Sequence, residues 1–180
     1  MEKWSEIRIN SNVSLLQIVK KLPYAKDNEL FGHITSTNRI RYLQGEHNWC
    51  NCNYSESITF HTHPANYKYT NVPSIRDIYN FLKSNKQVTI IAGDKVIWVI
   101  KSTVKSKQIA KSIAKWENIH LIDWFSKRAN IDADKYFRFI LSKFGFNQPH
   151  TAKTNNWLKQ IKKLHLSIKL IEKNDQETSS

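Results

Sequence analysis

Residues 61 to 77 read HTHPANYKYTNVPSIRD, with His61 and His63 two apart and Ser74 and Asp77 three apart. Two imidazoles and one carboxylate make a three-ligand set for a divalent metal. Three protein ligands leave a fourth position for water, the pattern of a catalytic rather than a structural zinc site. The chemistry this implies is hydrolysis, with the rest of the chain serving as scaffold and substrate recognition.

The elements around these residues must bring them together. SITFHTHP alternates, so Ile58 and Phe60 point one way while Thr59, His61 and His63 point the other. On a strand over 57–63 both histidines share a face, their Cα atoms roughly 7 Å apart. Pro64 cannot donate to a ladder and ends that strand at the second histidine. Pro73-Ser74-Ile75-Arg76-Asp77 then reads as the start of a helix over 73–84: Ser suits the cap and Asp the first turn. Ile78, Phe81 and Leu82 supply its apolar stripe. A loop over 65–73 lets Asp77 fold back as third ligand, with the Ser74 hydroxyl aimed at whatever binds beside the metal. A zinc hydrolase also needs a general base. Glu29, opening a strand over 29–35 in which Gly32 permits close backbone approach, is the candidate.

Glu29-x-x-Gly32, His61-Thr62-His63-Pro64 and Ser74-x-x-Asp77 together resemble the JAMM motif of the JAB/MPN metalloproteases, over about residues 25 to 103. Many members of that family cleave isopeptide bonds to ubiquitin or ubiquitin-like proteins. The resemblance implies one zinc ion per chain, held by His61, His63 and Asp77. It implies that Glu29 takes a proton from the water at the zinc and passes it to the leaving amine. Ser74 would hold that water or donate to the tetrahedral oxyanion. The chain departs from the family in one respect. Thirteen residues separate His63 from Asp77, more than is usual there. The excess falls in the Tyr- and Asn-rich stretch from Asn66 to Val72, and bears on the rim of the groove more than on the metal site.

Further along, Ser14 to Leu22 is an amphipathic helix candidate, a strand is expected over 39–45, and 87–102 reads as a hairpin about a Gly93-Asp94 turn. From Lys105 the period becomes helical. Asp132 or Asp134 caps a further helix closed by Gly145. Asn155 or Asn156 caps a last one carrying Trp157, Leu158, Ile161, Leu164, Ile168 and Ile171. The expected fold class is α/β (α+β): an MPN/JAB-like mixed sheet flanked by helices, with a C-terminal helical extension. The expected domains are a catalytic domain over 1–103, a basic helical extension packed on it over 104–173, and a disordered tail over 174–180.

Composition narrows the classes. With 40% hydrophobic and 12% aromatic residues among 180, the chain can bury one core. No apolar run is long enough to span a bilayer, so no membrane partner is expected. MEKWSEIRIN lacks the apolar core of a signal peptide. His47, Cys50 and Cys52 have neither the spacing of a zinc site nor a second half, and a Cys50–Cys52 disulfide would close a very tight ring; reduced thiols in a loop are expected. That fits an intracellular setting, cytoplasm or nucleus. Abundant Lys, Asn and Ile with only 4 Gly suggest an AT-rich genome such as that of a large DNA virus or a parasite, so a virus-encoded protein in its host cell is included.

Of the +13 net charge, residues 101–173 carry +11, with sixteen Lys and Arg against five Asp and Glu. These lysines are either the solvated faces of packed helices or a basic surface for an acidic partner or nucleic acid. Three functions compete: a zinc isopeptidase acting on ubiquitin-like conjugates, alone or with a partner subunit; a non-catalytic MPN-type assembly scaffold; and a RadC-like protein associated with DNA, a branch that also resembles HxHP…PSxxD.

Overall fold

The computed structural model describes residues 4–10, 13–25, 27–37, 39–45, 56–66, 70–126, 132–151 and 153–173, the side chains of 122–126 excepted. In chain order these form β1 (Ser5–Arg8), α1 (Leu15–Val19), β2 (Leu30–Ile34), β3 (Arg39–Gln44), β4 (Ile58–Thr62), α2 (Ile75–Lys83), β5 (Val88–Ala92) and β6 (Val96–Lys101). They continue with α3 (Val104–Ser126), α4 (Ala133–Ser142), α5 (Thr154–Lys162) and β7 (Ser167–Glu172). The mixed α/β class read from the sequence is the one the chain adopts. Among the described residues the strands make one seven-stranded sheet, in the order β1-β3-β2-β4-β5-β6-β7.

By its internal contacts the chain divides into two compact units. The first comprises the described residues of Met1–Val72, Lys86–Ile100 and Lys169–Ser180; the second comprises those of Pro73–Asn85 and Lys101–Ile168.

The first unit is built on the sheet. β2 pairs antiparallel with β3 on one side and with β4 on the other, and β4 pairs parallel with β5. A parallel pair needs a crossover rather than a hairpin, and the chain between β4 and β5 supplies it through α2. Gly32 sits at the crossing of two registers, opposite Tyr42 and Phe60. A Cβ there would lie 2.0 Å from the Arg41 carbonyl oxygen and 2.9 Å from Phe60 Cε1, so only glycine lets the strands close. One sheet face buries Ile34, Ile40, Phe60, Ile90, Ala92 and Val99 with Ile18 and Val19 of α1. Ile58 packs on the same cluster, so Thr59, His61 and His63 belong to the opposite face, as the alternation requires.

The second unit is helical. Buried Ile75, Ile78, Phe81 and Leu82 of α2 form the stripe expected of that helix. Its partners are fixed by one buried carboxylate: Glu117 of α3 accepts from the Tyr79 hydroxyl and the Lys83 ammonium of α2 and, at 2.6 Å, from the Tyr136 hydroxyl of α4. Burial pushes the Glu117 carboxyl up, but hydrogen bonds from Lys83, Tyr136 and Tyr79 outweigh it and hold it below its ordinary value. Burial, and then the bonds to Glu117, push both tyrosines above theirs.

Two parts of the chain differ from the sequence reading. The last helix stops at Lys162, and Ile168 and Ile171 belong to β7 instead. The reason is local. His165 adopts φ of 54°, which no α-helix continues through. Beyond it Leu166 is buried and leads directly into β7. At the other end Ser5–Arg8 forms β1 against β3, an edge strand that the polar SEIR gives little sign of. Within the helical stretch, Asp132 caps α4 and Gly145, at φ of 83°, follows its end. His47, Cys50, Cys52, part of the Asn66–Val72 stretch and the 174–180 tail lie outside the described residues.

Candidate metal centre

β4 brings the two histidines to its C-terminal end. His61 pairs with Phe31 of β2 and Ile91 of β5, which fixes its backbone on both sides. His63 follows the last strand residue; its N–H still donates to the Ala92 carbonyl at 2.9 Å. Both are buried, at 9% and 3% exposure. Their Nε2 atoms stand 3.2 Å apart, with ring centroids at 5.1 Å and planes inclined by 46°. Two nitrogens bound to one tetrahedral zinc at about 2.0–2.1 Å would stand about 3.3 Å apart. The imidazoles therefore already hold the separation of two ligands on one ion.

Asp77 and Ser74 form the capping box of α2. The Asp77 N–H donates to Ser74 Oγ at 3.1 Å, and the Ser74 N–H donates to Asp77 Oδ2 at 2.7 Å. The Asp77 carboxylate is thus orientated by a backbone donor at a helix N-terminus, where negative charge is favoured. Ser74 Oγ spends a lone pair on the cap and keeps a proton to donate. His61, His63 and Asp77 are a group that could hold a metal ion. Two imidazole nitrogens and a carboxylate oxygen suit zinc.

Glu29 stands outside that group of three. It immediately precedes β2, and its carbonyl accepts from the Gly45 N–H at 2.7 Å. Phe31 lies opposite His61 in the β2–β4 register. Glu29 and His63 are each two residues beyond that pair, so alternation turns both side chains to the face that carries His61. Between the histidines, fully buried Thr62 accepts from the Leu30 N–H at 2.8 Å through Oγ1. That bond ties the residue after Glu29 to the residue before His63. Sequence reading passed over Thr62; its place in HTH, facing away from the ligands, was the available signal.

The sequence also gave no notice of the residues that hold the far side of His63. Its carbonyl accepts from the Tyr24 hydroxyl at 2.9 Å and from Thr70 Oγ1 at 3.1 Å. Burial pushes the Tyr24 hydroxyl above its ordinary value. Another histidine, His33, is buried on the His61 face, its ring 5.3 Å from that of Trp4. Burial, with Arg41 and Lys86 adding to it, lowers its pKa against the opposing pull of Glu56. No described helix is long and apolar enough to cross a membrane. No protein-family model, curated protein or solved structure matches the chain.

Proposed function

We propose that this protein is a zinc-dependent metallopeptidase of the JAMM type, hydrolysing isopeptide or peptide bonds of ubiquitin or ubiquitin-like conjugates inside the cell. The observation that carries the reading is the pair of imidazole nitrogens 3.2 Å apart at the end of β4, with the Asp77 carboxylate completing a two-nitrogen, one-oxygen donor set. Bound zinc would supply Lewis-acid activation of water and carbonyl. The chain's own residues supply the rest. Glu29, on the histidine face, takes the proton of the attacking water and delivers it to the leaving amine. Ser74 uses the hydroxyl proton left over from its cap to hold the water or the developing oxyanion. His61, held by two neighbouring strands, fixes the site against movement during turnover.

The test is cleavage of a panel of ubiquitin and ubiquitin-like conjugates by zinc-loaded protein, with and without chelator. Glu29→Gln should keep zinc and lose roughly 10²- to 10⁴-fold activity. Cleavage undiminished in that variant would remove Glu29 from the mechanism. A folded protein that takes up no stoichiometric zinc would instead be a non-catalytic scaffold.

A further inference from the structure

His63 is the less supported of the two histidines. It lies one residue past β4, and Pro64 after it has no N–H to give. Beyond the Ala92 bond, its main chain is held by side chains from distant parts of the first unit. The Tyr24 hydroxyl and Thr70 Oγ1 both donate to the His63 carbonyl, at 2.9 Å and 3.1 Å. Tyr24 is itself held from the carboxy-terminal side. Lys173, directly after β7, places Nζ 3.9 Å from the centre of the Tyr24 ring. The same ammonium donates to the Gly93 carbonyl at 2.7 Å, and the Lys173 N–H donates to the Lys95 carbonyl at 2.8 Å. Lys173 is therefore anchored on the β5–β6 turn while its charge rests on the aromatic face.

From this chain of contacts we infer that Tyr24 and Lys173 are positioning residues for His63: Tyr24 fixes its carbonyl, and Lys173 fixes Tyr24. The inference rests on the reading of His63 as a metal ligand. A ligand whose peptide unit can rock must be ordered when metal binds, and that ordering weakens affinity. A hydroxyl bonded to the ligand's own carbonyl removes the freedom in advance, as groups behind ligating side chains do at other metal sites. β7 thereby becomes part of the centre although it carries no ligand. Read on its own, this part of the sequence continues the last helix and gives Lys173 no role.

The experiment uses the full chain with Co²⁺ and Zn²⁺, measuring affinity by chelator competition, the visible cobalt spectrum and the melting temperature of the metal-free protein. Tyr24→Phe keeps the ring and the cation–π contact and loses only the hydroxyl. It should bind either metal about 3- to 10-fold more weakly, the weight of one hydrogen bond, and shift the cobalt bands. Lys173→Met should do the same, while Lys173→Arg restores binding by keeping a cation over the ring. Thr70→Val removes the second donor to the same carbonyl and gives an independent reading if Tyr24→Phe fails to fold. Wild-type affinity and an unshifted spectrum in Tyr24→Phe and Lys173→Met overturn the inference while leaving the metal reading intact. Weakening that tracks a loss of metal-free stability and is not reversed by Lys173→Arg also overturns it. A wild-type protein that binds neither metal overturns both.

Discussion

Replacing Glu117 by Gln keeps the shape of the side chain and removes its charge. The carboxylate is 7% exposed and accepts from Tyr79, Tyr136 and Lys83. A Gln amide has a single acceptor oxygen for three donors, and its own NH₂ must face one of them. Removing one partner of a buried ion pair costs about 3–5 kcal/mol. The Lys83 side chain, however, is 33% exposed and recovers hydration, which brings the expected loss to about 2–3 kcal/mol. For a chain of this size that is a fall of roughly 4–12 °C in Tm. The pH dependence sharpens the test. The folded pKa of Glu117 is depressed, so its contribution is present above the unfolded value of about 4.3 and lost as pH falls through the folded one. The raised pKa values of Tyr79 and Tyr136 act at the other end, where stability is lost as pH rises past about 10. Thermal melts of wild type and Glu117→Gln between acid and neutral pH should converge toward the acid side. A Tm change within about 1 °C at neutral pH, or acid limbs of equal steepness, would refute the role given to this carboxylate.

Gly32→Ala places a methyl group 2.0 Å from the Arg41 carbonyl oxygen, so β2 and β3 must part. The expected loss is about 3 kcal/mol or more, read from the urea midpoint, and an unmoved midpoint would contradict the close approach. Gly93→Ala puts Cβ 2.2 Å from the Thr70 carbonyl oxygen and should cost about 1–3 kcal/mol. Because the Lys95 N–H donates to Asn71 Oδ1 at 2.6 Å, amide exchange at Lys95 should quicken as the Thr70–Asn71 segment lifts. Protected exchange there would mean the segment absorbs the methyl group without moving.

Much of the fold was legible because its signals are local. The alternation of Ile58 to His63 gave β4 and its faces, Ser74 and Asp77 gave the start of α2, and Asp132 and Gly145 gave the limits of α4. The two ends of the chain were not legible. β1 has the polar sequence SEIR and is a strand because β3 offers it a partner. Ile168 and Ile171 stand at helical spacing from Leu164, and what separates them from α5 is the backbone of His165, a single residue in an unusual conformation. Periodicity cannot see such a break, because it counts side chains and not φ.

The candidate site divides along the same line. His61, His63, Ser74, Asp77 and Glu29 are chemically distinctive, and their spacing says enough to group them. Tyr24, Thr70, Asn71 and Lys173 are ordinary residues whose importance comes from contacts between 7 and 80 positions away. The long stretch between His63 and Asp77 illustrates the difference. By length alone it alters the rim of a groove. In the folded chain Asn71 accepts from the Lys95 N–H through its side chain and from Trp98 Nε1 through its carbonyl, and Val72 is 1% exposed. Gly93 has no side chain because Thr70 and Asn71 pass over it. The end of that loop is therefore fastened to the β5–β6 turn, on which Lys173 is also anchored. The same stretch returns Thr70 to the carbonyl of His63. What reads in the sequence as a departure from a motif is, in the fold, part of what holds its second histidine.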